Sequence, residues 1–260
     1  MSTRIGFAAA AGALLLASAG CCEFARGFLF PAPANVREPA FGELVEIHDE
    51  RCDTVAMFVR AEEGMPTVVH FHGNGQQIAD LAPFADALTK RGVGFFAPEF
   101  PGYGLAGGST NEASLYRCGE ASLAYLDRRL GVPASQVMLQ GQSIGTGIAV
   151  EMASRGLGAR MVLISAYTSM PALLESKGVS GSLACDRLDS ASKAPRIPIP
   201  VLLLHGTEDR VIPPRMSEDL AKKFPHATLW LLDGAHHNDV FYGEGGVEIL
   251  DRIVTFASAR

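Results

Sequence analysis

Residues 136–154 read QVMLQGQSIGTGIAVEMAS. Positions 136–140 form a short apolar strand. The turn Gly141-Gln142-Ser143-Ile144-Gly145 follows at once, and 146–154 carries small and apolar residues at helical density. A strand, a G-x-S-x-G turn and a helix, in that order, are what a nucleophile elbow requires. Such a turn forces its serine into a strained backbone, and Gly141 and Gly145 leave the room that close strand–helix packing needs. The helix N-terminus behind Ser143 then favours developing negative charge. A chance G-x-S-x-G is the bland alternative in a chain with 28 Gly, and the flanking strand and helix argue against it.

Outward from this turn, strands and helices alternate. Residues 44–48 and 54–60 read as two antiparallel starting strands, and 67–71 (TVVHF) as a buried strand. Positions 78–90 repeat apolar residues at helical spacing, 93–100 is the next strand, and Ser109 with Glu112 reads as a capping box for a helix to about Leu130. Strands at 160–165, 201–205 and 227–232 alternate with helices at 215–224 and 247–257. The pattern predicts a mainly parallel α/β sheet with helices on both faces.

An activated serine needs a base and an acid that orients the base; after an elbow they follow in the order acid, then His. Asp209 lies in the loop after strand 201–205, at the sheet's carboxyl edge, with Glu208 as a rival acid. Gly234-Ala235-His236-His237-Asn238-Asp239 follows the last strand, and one of its histidines is the expected base. The oxyanion donors are expected at the N–H of Ile144 and at an N–H in the loop after strand 67–71.

In chain order the sequence shows His72-Gly73-Asn74-Gly75, Pro101-Gly102-Tyr103-Gly104, the Ser143 turn, His205 through Pro213, and Gly234 through Asp239. On these motifs, from about Val45 to the C-terminus, it resembles the α/β-hydrolase superfamily of serine hydrolases. Within it, the likeness is to the small-cap, membrane-associated group that includes the eukaryotic protein depalmitoylases. The resemblance implies an α/β-hydrolase fold, a mostly parallel sheet with a short cap, and a triad of Ser143, Asp209 and His237, with no cofactor and no metal. It places the second oxyanion donor at Asn74. The group has Gly where this chain has His236, so its register makes His237 the base, and a one-residue shift would exchange the two.

Other signals lead elsewhere. Gly102-Tyr103-Gly104-Leu105-Ala106-Gly107 is a literal G-x-G-x-x-G, but the next strand ends without the acid a dinucleotide site needs, so the turn is read as a wall of the hydrolase site. His70-Phe71-His72 lacks the further ligands of a metal set, and His72 is given a loop-supporting role. The net charge of −6 argues against a nucleic-acid partner. With 48% hydrophobic and 19% charged residues over 260 positions, disordered and disulfide-scaffold classes are excluded.

The first twenty residues carry one cation, Arg4, an apolar run from Ile5 to Ala17, and the small-residue pattern Ala17-Ser18-Ala19 before Cys21-Cys22. This predicts a signal peptide or lipoprotein leader at 1–20, with Cys21 as candidate lipidation site, a tether at 21–43, and a hydrolase domain at 44–260 with a small cap at 166–200. An exported protein, periplasmic or membrane-anchored rather than freely secreted, is the resulting expectation. The five cysteines contain no CxxC, and one disulfide among Cys52, Cys118 and Cys185 is allowed with no pair singled out.

The expected reaction is cleavage of a carboxylic ester or thioester, with a small-molecule or acyl-ester substrate. A peptidase or amidase on the same machinery and a catalytically idle lipoprotein binding module are the alternatives. The oligomeric state is not legible.

Overall fold

The computed structural model describes residues 22, 26–27, 29–239 and 246–259. Eight strands form one sheet in the order β1-β2-β4-β3-β5-β6-β7-β8. They are β1 (Glu43–Asp49), β2 (Cys52–Val59), β3 (Thr67–Phe71), β4 (Gly94–Pro98), β5 (Val137–Gln142), β6 (Arg160–Ile164), β7 (Val201–Gly206) and β8 (Ala227–Leu232). From β4 through β8 every pairing is parallel, while β1 and β2 form an antiparallel hairpin that adds to β4 at one edge. β3, β4, β5 and β7 are buried on both faces, which is why they read as mostly apolar runs rather than alternating ones.

Helices cover both faces. α1 (Ala82–Thr89) and α7 (Gly246–Ser258) place Phe84, Leu88, Ile249 and Ile253 against Val68, Phe95 and Leu202. On the other face α2 (Glu112–Leu130), α3 (Gly145–Ser154) and α6 (Arg215–Ala221) place Leu126, Ile148 and Leu220 against Val69, Leu139 and Leu203. Residues 166–200, between β6 and β7, hold α4 (Met170–Ser176), α5 (Ser190–Lys193) and two short 3₁₀ turns.

The strand order sets the site. The chain leaves β3 toward β4 on one side and returns to β5 on the other, so the loops at the carboxyl ends of β3 and β5 diverge. A crevice opens between them, where ligands bind in open parallel sheets.

Two local expectations are corrected. The box that starts α2 is Asn111 with Ser114, each side chain bonding the other's backbone N–H; the Ser109 carbonyl only accepts from the Ser114 hydroxyl. The stretch read as one helix over 78–90 is a 3₁₀ turn (Ile78–Leu81) followed by α1, because Pro83 suits a helix's first turn and cannot donate within its interior.

The cysteines form two bridges, Cys22–Cys185 and Cys52–Cys118, so the pairing uses Cys22 as well as the three later residues. Cys52 and Cys118 pack with Ala121 in a small buried cluster joining the β1–β2 hairpin to α2. This link spans 66 positions of sequence, and removing it frees that loop in the unfolded chain. The double variant Cys52→Ser/Cys118→Ser is expected to lose about 2–4 kcal/mol of stability by urea unfolding.

Candidate active site

Ser143 adopts φ 52°, in the left-handed region. Its N–H donates to the Ile164 carbonyl at 2.9 Å, tying the turn to neighbouring β6, and its own carbonyl accepts from the Thr146 hydroxyl at 2.7 Å. The two glycines of the turn are steric necessities. A Cβ on Gly145 would stand 2.1 Å from the Phe71 carbonyl oxygen, and one on Gly141 would stand 2.5 Å from that of Gly145. The elbow is thereby pressed against the end of β3, and the N-terminus of α3 lies behind Ser143.

The Ser143 hydroxyl lies 3.1 Å from His237 Nε2, and His237 Nδ1 lies 2.7 Å from Asp209 Oδ2. An ionised carboxylate only accepts, so Nδ1 carries the proton and Nε2 is left to accept from the serine. His236 points away: its Nδ1 donates to the Glu208 carbonyl at 3.1 Å, and its N–H to Asp239. Glu208 stands exposed beside the site.

Asp209 is 5% exposed and every side of its carboxylate is occupied. Oδ1 accepts from the N–H groups of Val211 and Ile212 at 2.8 and 2.9 Å. Oδ2 receives His237 and also lies 3.1 Å from Nε2 of His205, a fully buried ring that donates to the Ile212 carbonyl and contacts the Ser217 hydroxyl. Burial alone would push the Asp209 carboxyl up. The bonds from His205, His237 and the Ile212 N–H outweigh it and hold the group well below the usual carboxylate range. His205 is a residue the motif contained but to which sequence reasoning gave no role; its spacing of four from Asp209 was the available signal.

A second buried cluster holds the loop after β3. His72, fully buried, donates through Nδ1 to the Gly73 carbonyl at 2.9 Å and faces Glu99 Oε1 through Nε2 at 3.0 Å. The other Glu99 oxygen accepts from the Ile78 N–H at 3.1 Å, so one carboxylate fastens both ends of the loop. Asn74 accepts from the Tyr103 hydroxyl at 2.8 Å and donates to the Leu29 carbonyl at 2.8 Å. The glycine-rich turn at 102–107 therefore braces the site, and Gly104 is required because a Cβ there would stand 2.1 Å from Glu99 Oε2. His70 lies apart from all this, buried between Phe84 and Phe95, where burial lowers its pKa to about 3.

A cavity of about 390 Å³ opens at Ser143 and is shared by Ile144, Asn74 and His237. Leu29, Met170, Leu173, Val211 and Ile212 give it apolar walls, and Gln76, Gln142 and Asn238 add polar groups. Leu29 and Glu99 were beyond sequence reasoning, and so was the bond from Tyr103 to Asn74, since only the folded chain brings them to the loop. The expected leader at 1–20 and the candidate lipidation site Cys21 lie outside the described residues.

A model of the alpha/beta hydrolase fold matches residues 164–244. The chain is 34% identical over 207 residues to alpha/beta hydrolase domain-containing protein 17C of Xenopus tropicalis, covering 78% of this chain and 65% of that protein. It is 35% identical over 211 residues to alpha/beta hydrolase domain-containing protein 17B of Homo sapiens, covering 78% and 70%. An esterase of Pyrococcus furiosus superposes with a TM-score of 0.70 at 17% identity, covering 86% of this chain and 96% of the esterase, a likeness of fold alone.

These relatives correct the expectation of export. They are proteins of frog and human, whose cells have no periplasm, so they give no support to an exported periplasmic lipoprotein. That expectation rested on the composition of the first twenty residues, and an apolar run beside small residues does not by itself specify an address. Among the described residues no helix is long and apolar enough to cross a membrane. The resemblance carried by the motifs is borne out, and the chain belongs to the alpha/beta-hydrolase family.

Proposed function

We propose that this chain is a serine hydrolase that cleaves carboxylic ester or thioester bonds through an acyl-enzyme on Ser143. The observation that carries the proposal is the unbroken chain of contacts from the Ser143 hydroxyl through His237 to Asp209, at 3.1 and 2.7 Å, opening into a mostly apolar cavity.

In this mechanism His237 Nε2 takes the Ser143 proton as Oγ attacks the carbonyl carbon. The carbonyl oxygen becomes an oxyanion, held by the N–H groups of Ile144 and Asn74. His237 then passes its proton to the departing alcohol or thiol as the carbon–oxygen or carbon–sulfur bond breaks. Water, deprotonated by the same nitrogen, attacks the acyl-enzyme and releases the acid and the free serine. Asp209 stays ionised throughout and steadies the imidazolium. Residues 166–200 serve as a short cap that supplies one wall of the acyl site.

A fluorophosphonate probe is expected to label the wild-type protein and not Ser143→Ala. A folded wild-type protein that takes no label would contradict the proposal. His237→Ala should lower kcat/KM on p-nitrophenyl butyrate by about 10⁶-fold, whereas His236→Ala should leave it near wild type. The reverse pattern would move the base by one residue.

Asp209 also links stability to pH. Its folded pKa lies below the unfolded value of about 3.9, so its contribution is fully present above that pH and is lost as pH falls toward the folded value. The gap in unfolding free energy between wild type and Asp209→Asn should therefore be largest near neutrality and narrow below about pH 4. Urea titrations at pH 7 and pH 3 measure it.

A further inference from the structure

Residues 29–37 run along the loop that carries Asn74. The Leu29 carbonyl accepts from Asn74 Nδ2 at 2.8 Å, the Asn35 carbonyl accepts from Gln77 Nε2 at 2.8 Å, and the Arg37 N–H donates to Gln77 Oε1 at 2.9 Å. Upstream of this segment, Arg26 and Cys22 fasten the chain to the cap. Arg26 makes a two-point ion pair with Asp186, at 2.8 and 3.2 Å, and Cys22 is bonded to Cys185. Asp186 is almost fully buried and also accepts from the Glu112 N–H at the start of α2, so the anchor on the cap is itself fixed. Phe30 is 6% exposed within the core beneath, and Pro31 and Pro33 restrict the backbone between the Leu29 and Asn35 contacts.

With Arg26 and Cys22 this segment forms a strap from the cap to the oxyanion loop, and the residue it holds at the cavity is Leu29. Leu29 shares the cavity with Met170 and Leu173 of α4 and with Val211 and Ile212 from the loop after β7. All five are apolar, and none can bond a polar leaving group. The acyl chain of a substrate is the part that gains by lying among them, because each buried methylene adds to binding.

We infer that the strap is a specificity element of the hydrolase: Leu29 forms one wall of the acyl subsite and limits the chain length it takes, and Cys22–Cys185 with Arg26–Asp186 holds that wall in place. This rests on the serine-hydrolase proposal. It assigns a substrate-contacting role to a segment far in sequence from Ser143, Asp209 and His237.

The test compares kcat/KM on p-nitrophenyl butyrate and p-nitrophenyl octanoate for wild type, Leu29→Ala, Leu29→Trp and Cys22→Ser/Cys185→Ser. Leu29→Trp should lower the octanoate-to-butyrate ratio by about tenfold or more, the discrimination a filled apolar pocket gives. Leu29→Ala should raise the ratio by about fourfold, the worth of roughly one methylene of accommodated chain. The double cysteine variant should move it in the same direction as Leu29→Ala. Ratios unchanged in both Leu29 variants would overturn the inference, as would an equal loss on both esters, which marks loop support rather than a wall. A double cysteine variant with the wild-type ratio would overturn the holding role of the bridge. Failure of the wild-type protein to hydrolyse either ester or to take a fluorophosphonate label would instead count against the serine-hydrolase proposal.

Discussion

Ser143 at φ 52° is a conformation that costs an L-residue about 1–2 kcal/mol, and its side chain makes no compensating bond within the turn. What holds it is the packing of β5, α3 and the end of β3, which brings Gly145 so near the Phe71 and His72 carbonyls that no Cβ fits. The approach exists because β3 and β5 are neighbours, and they are neighbours because β4 was added on the other side of β3. Strand order, the two glycines and the strained serine are therefore a single constraint. From it follow the exposed hydroxyl, the helix N-terminus behind it, and the closeness of Ile144 to the loop carrying Asn74.

The remaining parts of the site are loops, and each is stiffened by a buried carboxylate that bonds both a histidine ring and a backbone N–H. Asp209 gathers two backbone N–H groups and two histidines, which hold the loop after β7 and orient His237 together. Glu99 does the same for the loop after β3 through His72 and the Ile78 N–H. Groups this deeply buried are costly when unpaired and specifying when satisfied. The strap from Cys22 and Arg26 to Arg37 extends the pattern outward, joining the cap to the same loop by a disulfide, an ion pair and three hydrogen bonds.

Most of the sheet was legible because its inner strands are short, mostly apolar runs, and the helices between them show their spacing. The elbow was legible because strain at one residue demands glycine on both sides of it. Ser143, Asp209 and His237 could be named as candidates from their places at strand ends. Their distances could not, nor could the partners His205, Glu99 and Tyr103, because burial and approach are properties of the folded chain. The box at Asn111 was missed because Ser109 and Glu112 show the same spacing two positions earlier. The Cys22 bridge was hidden because reading the pair Cys21-Cys22 as a lipidation signal set it apart from the other cysteines. The address read from the first twenty residues failed because composition there was asked to stand for location.

The central claim is that all chemistry passes through one covalent intermediate on Ser143. Partitioning measures this most directly. Octanoyl esters with different leaving groups, hydrolysed in buffer containing methanol, should give the same ratio of methyl octanoate to octanoic acid, because one acyl-enzyme meets water and methanol after every leaving group has departed. A ratio that changes with the leaving group would contradict the account.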